Sequence, residues 1–267
     1  MKRILPFLLV LLCFGKLSLA QKATMQAADA HLVESFDRMD YWWKYCFADK
    51  KDKKVDSLRN SGGHIYDYIE NLITKYPESL TSEFPGAKSK GLYYVNSDDG
   101  RLRIFSWPAK IEGHAEPKFE FRDVVGFKTD GGGRKYHDIS NGTEGGYCSK
   151  ITTVKCHKDT VIYFANYYTI RNGIKQETLK AYSIIDNAIK EISCFYEGAH
   201  NPKQLWCQYN VSPDNIRVTT PVIHFNPEKT KIYLPITNQK GSETVLTSMY
   251  KVFVFNGFSF IYDKNAK

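Results

Sequence analysis

The sequence predicts a mainly β protein with an N-terminal helical segment, and three observations carry that expectation. Apolar residues recur at helical spacing from Leu32 to Tyr76, and after Pro85-Gly86 they alternate with polar ones. In that second part, Asp-Gly, Asn-Gly and Gly-Gly pairs punctuate the chain at hairpin intervals.

Taking the elements in order, Met1-Lys2-Arg3 places positive charge ahead of Ile4 to Phe14, an apolar run too short to span a bilayer comfortably. Ser18-Leu19-Ala20 then supplies the small residues a signal peptidase reads. The expected layout is a signal peptide over 1–20, a helical segment over 21–85 and a β-rich domain over 86–267. Cleavage near Ala20 would leave a periplasmic or secreted protein. Cys13 follows Val10-Leu11-Leu12 instead of small residues, so lipidation is not expected. No later run reaches the roughly 18 apolar residues of a permanent transmembrane anchor.

Leu32, Phe36, Met39, Trp43 and Cys46 fall on one face of a first helix. Ile65, Ile69, Leu72 and Tyr76 repeat the pattern in a second helix that Pro77 stops, with Lys50-Lys51-Asp52-Lys53-Lys54 as the loop between them. Tyr41 and Tyr45 lie opposite the first stripe and are candidate binding residues, able to stack on a sugar or to pack on the β domain. His31 with Glu34, and His64 with Asp67, are metal-ligand types at helical spacing. Arg38 on the same face would repel a cation and pair with Glu34, so a solvated charged face without a metal is expected.

Beyond Pro85-Gly86, Phe119 and Phe121 alternate with Lys118, Glu120 and Arg122, as Leu102 and Ile104 do with Arg101 and Arg103; each reads as a strand with one buried and one wet face. Asp99-Gly100, Asn172-Gly173 and Asn256-Gly257 are the clearest turns. Leu92-Tyr93-Tyr94, Ile162-Tyr163-Phe164 and Ile232-Tyr233-Leu234 recur about 70 residues apart; the last two sit in longer similar stretches with the strand content of a propeller blade, and the first unit is mostly a single hairpin. A closed propeller needs about four blades, more than 91–263 can supply. The expected fold is therefore an antiparallel meander of blade-like sheets, an incomplete propeller or a sandwich.

Ser97-Asp98-Asp99-Gly100, followed by Arg101-Leu102-Arg103-Ile104-Phe105-Ser106-Trp107, resembles the Asp-containing hairpins of propeller proteins, sialidases included. The glycine and tryptophan offsets depart from the sialidase Asp-box, so no sialidase activity is implied, and in that family the box is itself a structural turn. Asp98, Asp99 and Trp107 are kept as candidate binding residues. The exported layout with this hairpin resembles uncharacterised exported bacterial β-rich proteins; the resemblance implies an address and no activity. His137-Asp138 pairs a base with a carboxylate, but neighbours on a strand point to opposite faces.

The net charge of +8 falls to +5 once Lys2, Arg3 and Lys16 leave with the signal, and the charges are interleaved, which argues against nucleic acid as a partner. Five cysteines then remain, Cys46, Cys148, Cys156, Cys194 and Cys207, an odd number in an oxidising compartment. Cys194 and Cys207 flank a loop containing Asn201-Pro202 and form the candidate disulfide; Cys148 and Cys156 stand at opposite ends of one strand. No Cys-x-x-Cys, phosphate-loop or EF-hand spacing is present, and no cofactor is expected. The leading expectation is a non-catalytic exported protein that binds a ligand or partner, a glycan or an envelope protein, through its β surface. The alternatives are a secreted hydrolase of glycans or peptides, using carboxylates such as Asp98, Asp99 and Asp123, and an envelope structural or assembly factor.

Overall fold

The computed structural model describes residues 4–49, 52–111, 118–139, 146–157, 160–211 and 220–266, with 4–20, 46–49, 52–55, 110–111 and 118–120 described by backbone alone. Contacts divide the chain into a helical unit, 1–92 with 108–119, and a β unit, 93–107 with 120–267.

In the helical unit, α1 (Ile4–Asp49) runs without a break through the expected cleavage position, and α2 (Asp52–Lys75) follows. Leu32, Phe36 and Met39 are almost wholly buried, and Met25 and Ala28 extend the stripe one turn at a time toward the N-terminus. Leu58, Ile65, Ile69, Leu72 and Ile73 form the buried side of α2. Burial of each large apolar side chain contributes about 1.5–3 kcal/mol. Trp43 is only half-buried, and the Cys46 side chain lies outside the described residues. Tyr76 does not continue the second stripe: the helix ends at Lys75, Tyr76 is in extended conformation, and its ring is 39% exposed ahead of a 3₁₀ turn at Pro77–Leu80.

A further short helix, α3 (Pro85–Ser89), stands where the sequence predicts the start of the strands. It forms because the Asp29 carboxylate accepts hydrogen bonds from the backbone N–H groups of Gly86 (2.9 Å) and Ala87 (2.8 Å), filling the orphan donors of its first turn. A side chain at Gly86 would meet Val33 Cγ2 at 2.8 Å, so this approach requires glycine.

Among the described residues the strands form three sheets, the ends of β2 and β3 reaching into the helical unit. Sheet A has the order β1 (Tyr93–Asn96), β2 (Leu102–Ile111), β3 (Lys118–Lys128), β4 (Arg134–Asp138). Sheet B has the order β10 (Gln204–Asn210), β7 (Ile174–Ile185), β6 (Val161–Arg171), β5 (Tyr147–Lys155), with β8 (Ala188–Glu191) also on β7. Sheet C has the order β11 (His224–Phe225), β12 (Lys231–Lys240), β13 (Glu243–Phe255), β14 (Phe260–Tyr262), β9 (Phe195–Tyr196). Among the described residues the sheets are antiparallel apart from the parallel β14–β9 pair, and none closes into a barrel. The protein is thus mainly β with N-terminal helices, an arrangement consistent with blades or a sandwich.

Sheet B is the middle layer. Leu102, Ile104, Val125 and Phe127 of sheet A pack with Tyr163, Ala165, Tyr167 and Tyr182 on one of its faces. On the other, Phe164, Leu179, Ala181 and Leu205 pack with Ile232, Phe253 and Phe260 of sheet C. This double burial explains the nearly unbroken apolar run of β6. The three recurring motifs fall one per sheet, but the first opens an edge strand while the other two occupy second strands. Asn172-Gly173 turns with both residues left-handed (φ 52° and 73°), and Asp186-Asn187 makes the next hairpin the same way without glycine.

Arg103 is not on a wet face: residues 102–107 are all buried, and the Arg103 guanidinium lies 4.8 Å from the Tyr94 ring centroid and 5.6 Å from that of Phe105, while Nε donates to Asn96 Oδ1. Cys194 and Cys207 are not joined, and no disulfide forms among the described cysteines. Cys207 faces Glu177 across β10 and β7 in sheet B, whereas the Cys194 carbonyl accepts from Phe260 N of sheet C.

Burial raises the Cys194 and Cys207 thiols to about 12, and that of Cys148 well above its ordinary value. Cys156, half-buried, is the accessible member of the four. Iodoacetamide on the native protein is therefore expected to alkylate Cys156 ahead of Cys148, Cys194 and Cys207, which stay protected until unfolding. Peptide mapping of the alkylated protein checks this; labelling of Cys207 at the Cys156 rate would contradict it.

Candidate ligand-binding site

The strongest exposed constellation is aromatic and lies on sheet C. The two-residue strand β11 pairs with β12 so that His224 faces Tyr233 and Phe225 faces Ile232. Alternation sends the two pairs to opposite sides. Phe225 packs at 5.2 Å from Phe164 and 5.7 Å from Phe260 toward the core, and His224 is exposed. Across the next pair, Tyr233 faces Val252 and Pro235 faces Tyr250, so Tyr250 is the diagonal neighbour of Tyr233 on the same side.

The rings close into a triad. His224 stacks on Tyr233 (centroids 5.1 Å apart, planes 14°), and Tyr250 stands edge-on to both, at 5.5 Å from His224 and 5.8 Å from Tyr233. Tyr250 is 42% exposed. The His224 ring nitrogen Nδ1 is 2.9 Å from the Val222 carbonyl oxygen. Since a carbonyl only accepts, Nδ1 carries the hydrogen, and in the neutral ring Nε2 is left as an acceptor. The triad thus offers aromatic faces rimmed by two phenol hydroxyls and one imidazole acceptor. Sequence reading missed it because its members stand at 224, 233 and 250.

The sequence-derived candidates lie elsewhere. Tyr41 and Tyr45 are exposed (51% and 45%) with rings 4.5 Å apart on α1. Trp107 is fully buried and presents no ring face to solvent. Asp98 and Asp99 sit on the β1–β2 turn. Asp99 Oδ1 accepts from Ser97 Oγ (2.6 Å) and Arg101 N (3.0 Å), and its Oδ2 from Tyr163 OH (2.8 Å), which is turn chemistry. Asp98 accepts from Lys229 Nζ and from Thr153 N (3.2 Å). Partial burial pushes its carboxyl up, but these hydrogen bonds and the Lys229 charge outweigh it and leave it below the ordinary value. Asp123 is far more enclosed, at 2% exposure, and accepts from Ser106 Oγ. His137 and Asp138 are both exposed on β4.

In the helical unit, His31, Glu34, Arg38, His64, Asp67, Tyr68 and Asn71 line a recess of about 260 Å³. The two His/carboxylate pairs, expected on a solvated charged face, therefore look onto one space. Arg38 pairs with Glu34 at 3.3 Å, and His31 stacks on Tyr68 at 4.0 Å. Among the described residues, no three His, Cys, Asp or Glu groups converge as a metal-binding set, and no helix is long and apolar enough to cross a membrane.

No protein-family model, no curated protein and no solved structure matches this chain.

Proposed function

We propose that this is a non-catalytic binding protein of the cell envelope or secreted space, and that it holds carbohydrate on the His224–Tyr233–Tyr250 triad. The observation that carries the reading is the contact of three aromatic rings on a solvent-facing sheet surface, with Tyr250 42% exposed. Exposed aromatic faces suit the C–H face of a pyranose, and their polar rims suit its hydroxyls. Export, expected from the N-terminal sequence, would bring such a surface to the glycans of the envelope.

Titration of the whole protein with maltohexaose, cellohexaose and chitohexaose, read by calorimetry and by thermal shift, tests this. Saturable binding to at least one is expected. Tyr250→Ala should weaken it about tenfold or more, as for a central aromatic contact, with little change in melting temperature because the ring is largely outside the core. Tyr41→Ala should leave binding unchanged. A flat response to all three sugars, or a Tyr250→Ala variant that binds as the parent does, would overturn the reading; specific capture of an envelope protein in place of sugar would favour the partner-binding alternative.

A further inference from the structure

β11 is two residues long, so strand pairing alone holds His224 weakly, and the segment before it is fixed by side chains from sheet B. Glu177 Oε2 accepts from the backbone N–H of Val222 (2.7 Å) and Ile223 (3.4 Å), and Asn166 Nδ2 donates to the Ile223 carbonyl (3.0 Å). The other Glu177 oxygen accepts from Lys175 Nζ (2.7 Å) and Tyr209 OH (3.0 Å). Glu177, Lys175 and Asn166 are each 2% exposed. The carboxylate is therefore fixed on one side by the sheet and grips the chain on the other. The carbonyl of the gripped Val222 is the group that takes the His224 Nδ1 hydrogen.

We infer that Glu177 is a positioning residue for the triad: by fixing the 222–223 backbone it sets both the tautomer of His224 and the stacking of its ring on Tyr233. The inference rests on the proposed carbohydrate site for its functional meaning. Its structural content stands separately. A neutral imidazole with hydrogen on Nδ1 presents Nε2 as an acceptor for a sugar hydroxyl; the other tautomer would present a donor. A buried side chain of sheet B would thus decide the hydrogen-bonding polarity of an exposed surface on sheet C.

Long-range ¹H–¹⁵N correlation spectra of His224 in the full protein, recorded at pH 8 without sugar, provide the test. The parent protein should show the Nδ1–H tautomer, with ring protons shifted upfield by Tyr233 and Tyr250. Glu177→Gln should move these signals toward those of a free histidine with mixed tautomers, and weaken binding of the best of the three hexasaccharides about fivefold to tenfold. Ile189→Val, a mild core change outside the clamp, should leave the His224 signals in place, which separates positioning from general loss of stability. An Nε2–H tautomer in the parent, or unchanged His224 signals in a folded Glu177→Gln variant, would overturn the inference. If Glu177→Gln shifts His224 while the parent binds none of the sugars, positioning stands and the carbohydrate reading alone fails.

Discussion

Lys175→Met is expected to cost about 3–5 kcal/mol of folding stability, the usual penalty for leaving one member of a buried ion pair behind. Lys175 Nζ and Glu177 Oε1 are 2.7 Å apart, and the two side chains are 2% and 3% exposed. Residues two apart on a strand share a face, so β7 itself brings the charges together in the layer between sheets B and C. The ammonium also lies 5.0 Å from the Tyr168 ring centroid and 5.9 Å from that of Tyr209. Methionine keeps much of the volume and removes the charge. The Glu177 carboxylate would then stay buried with Tyr209, Val222 and Ile223 as its neutral donors. Urea unfolding at neutral pH measures the loss; a change under about 1 kcal/mol would mean that water reaches the carboxylate. Arg38→Ala provides the contrast, because its partner Glu34 is 70% exposed and surface pairs contribute about 0–1 kcal/mol.

Helices and strands were legible in the sequence for a simple reason: Leu32, Phe36 and Met39, or Leu102 and Ile104, carry the period of their own element. Which sheet lies between the others was not legible. The run from Ile162 to Tyr168 says that β6 is buried on both faces, but only tertiary packing says that Phe164 meets sheet C and Tyr163 sheet A. Arg103 misled because an arginine in an alternating strand reads as solvent-facing, and its burial depends on Asn96, Tyr94 and Phe105. The cysteine pairing misled because a turn between Cys194 and Cys207 does not keep the flanking segments in one sheet: Cys194 leads into β9 of sheet C, and Cys207 lies in β10 of sheet B.

The aromatic triad was partly within reach. Folding β12 on β13 about Gly241 with unbroken register would set Tyr233 opposite Tyr250; the register shift between Pro235 and Thr237 converts that facing pair into the observed diagonal. Proline, lacking an N–H, suits such an irregularity. His224 had no comparable signal, because a strand of two residues has no period. Its place is set by side chains from residues 166 and 177, and contacts at that sequence separation are what a reading of local pattern cannot supply.

Asp123→Asn is expected to remove a pH dependence of stability that the parent protein carries between about pH 4 and pH 7. Burial is the main cause: it raises the Asp123 carboxyl from 3.8 to about 7, against the lowering effects of the Ser106 hydrogen bond and the Lys180 charge and with a further rise from Asp138. In the unfolded chain the group titrates near its ordinary value, so from about pH 4 to pH 7 the folded state holds a proton that the unfolded state has released. Stability from this group is therefore complete below about pH 4 and lost as pH rises through 7, a change on the order of 4 kcal/mol for a shift of this size. Asparagine matches the neutral acid in shape and does not ionise. Urea unfolding of both proteins from pH 4 to pH 8 should give curves that start close together and separate as pH rises, with the variant the more stable at pH 8. Parallel curves would show that Asp123 is ionised at its ordinary pH despite 2% exposure. Ser106 sharpens the test: its Oγ donates to Asp123 and accepts from Cys148 N at 3.3 Å. Ser106→Ala removes a hydrogen bond that favours the carboxylate, so it should move the loss of stability to higher pH, in the direction opposite to what relief of burial would give.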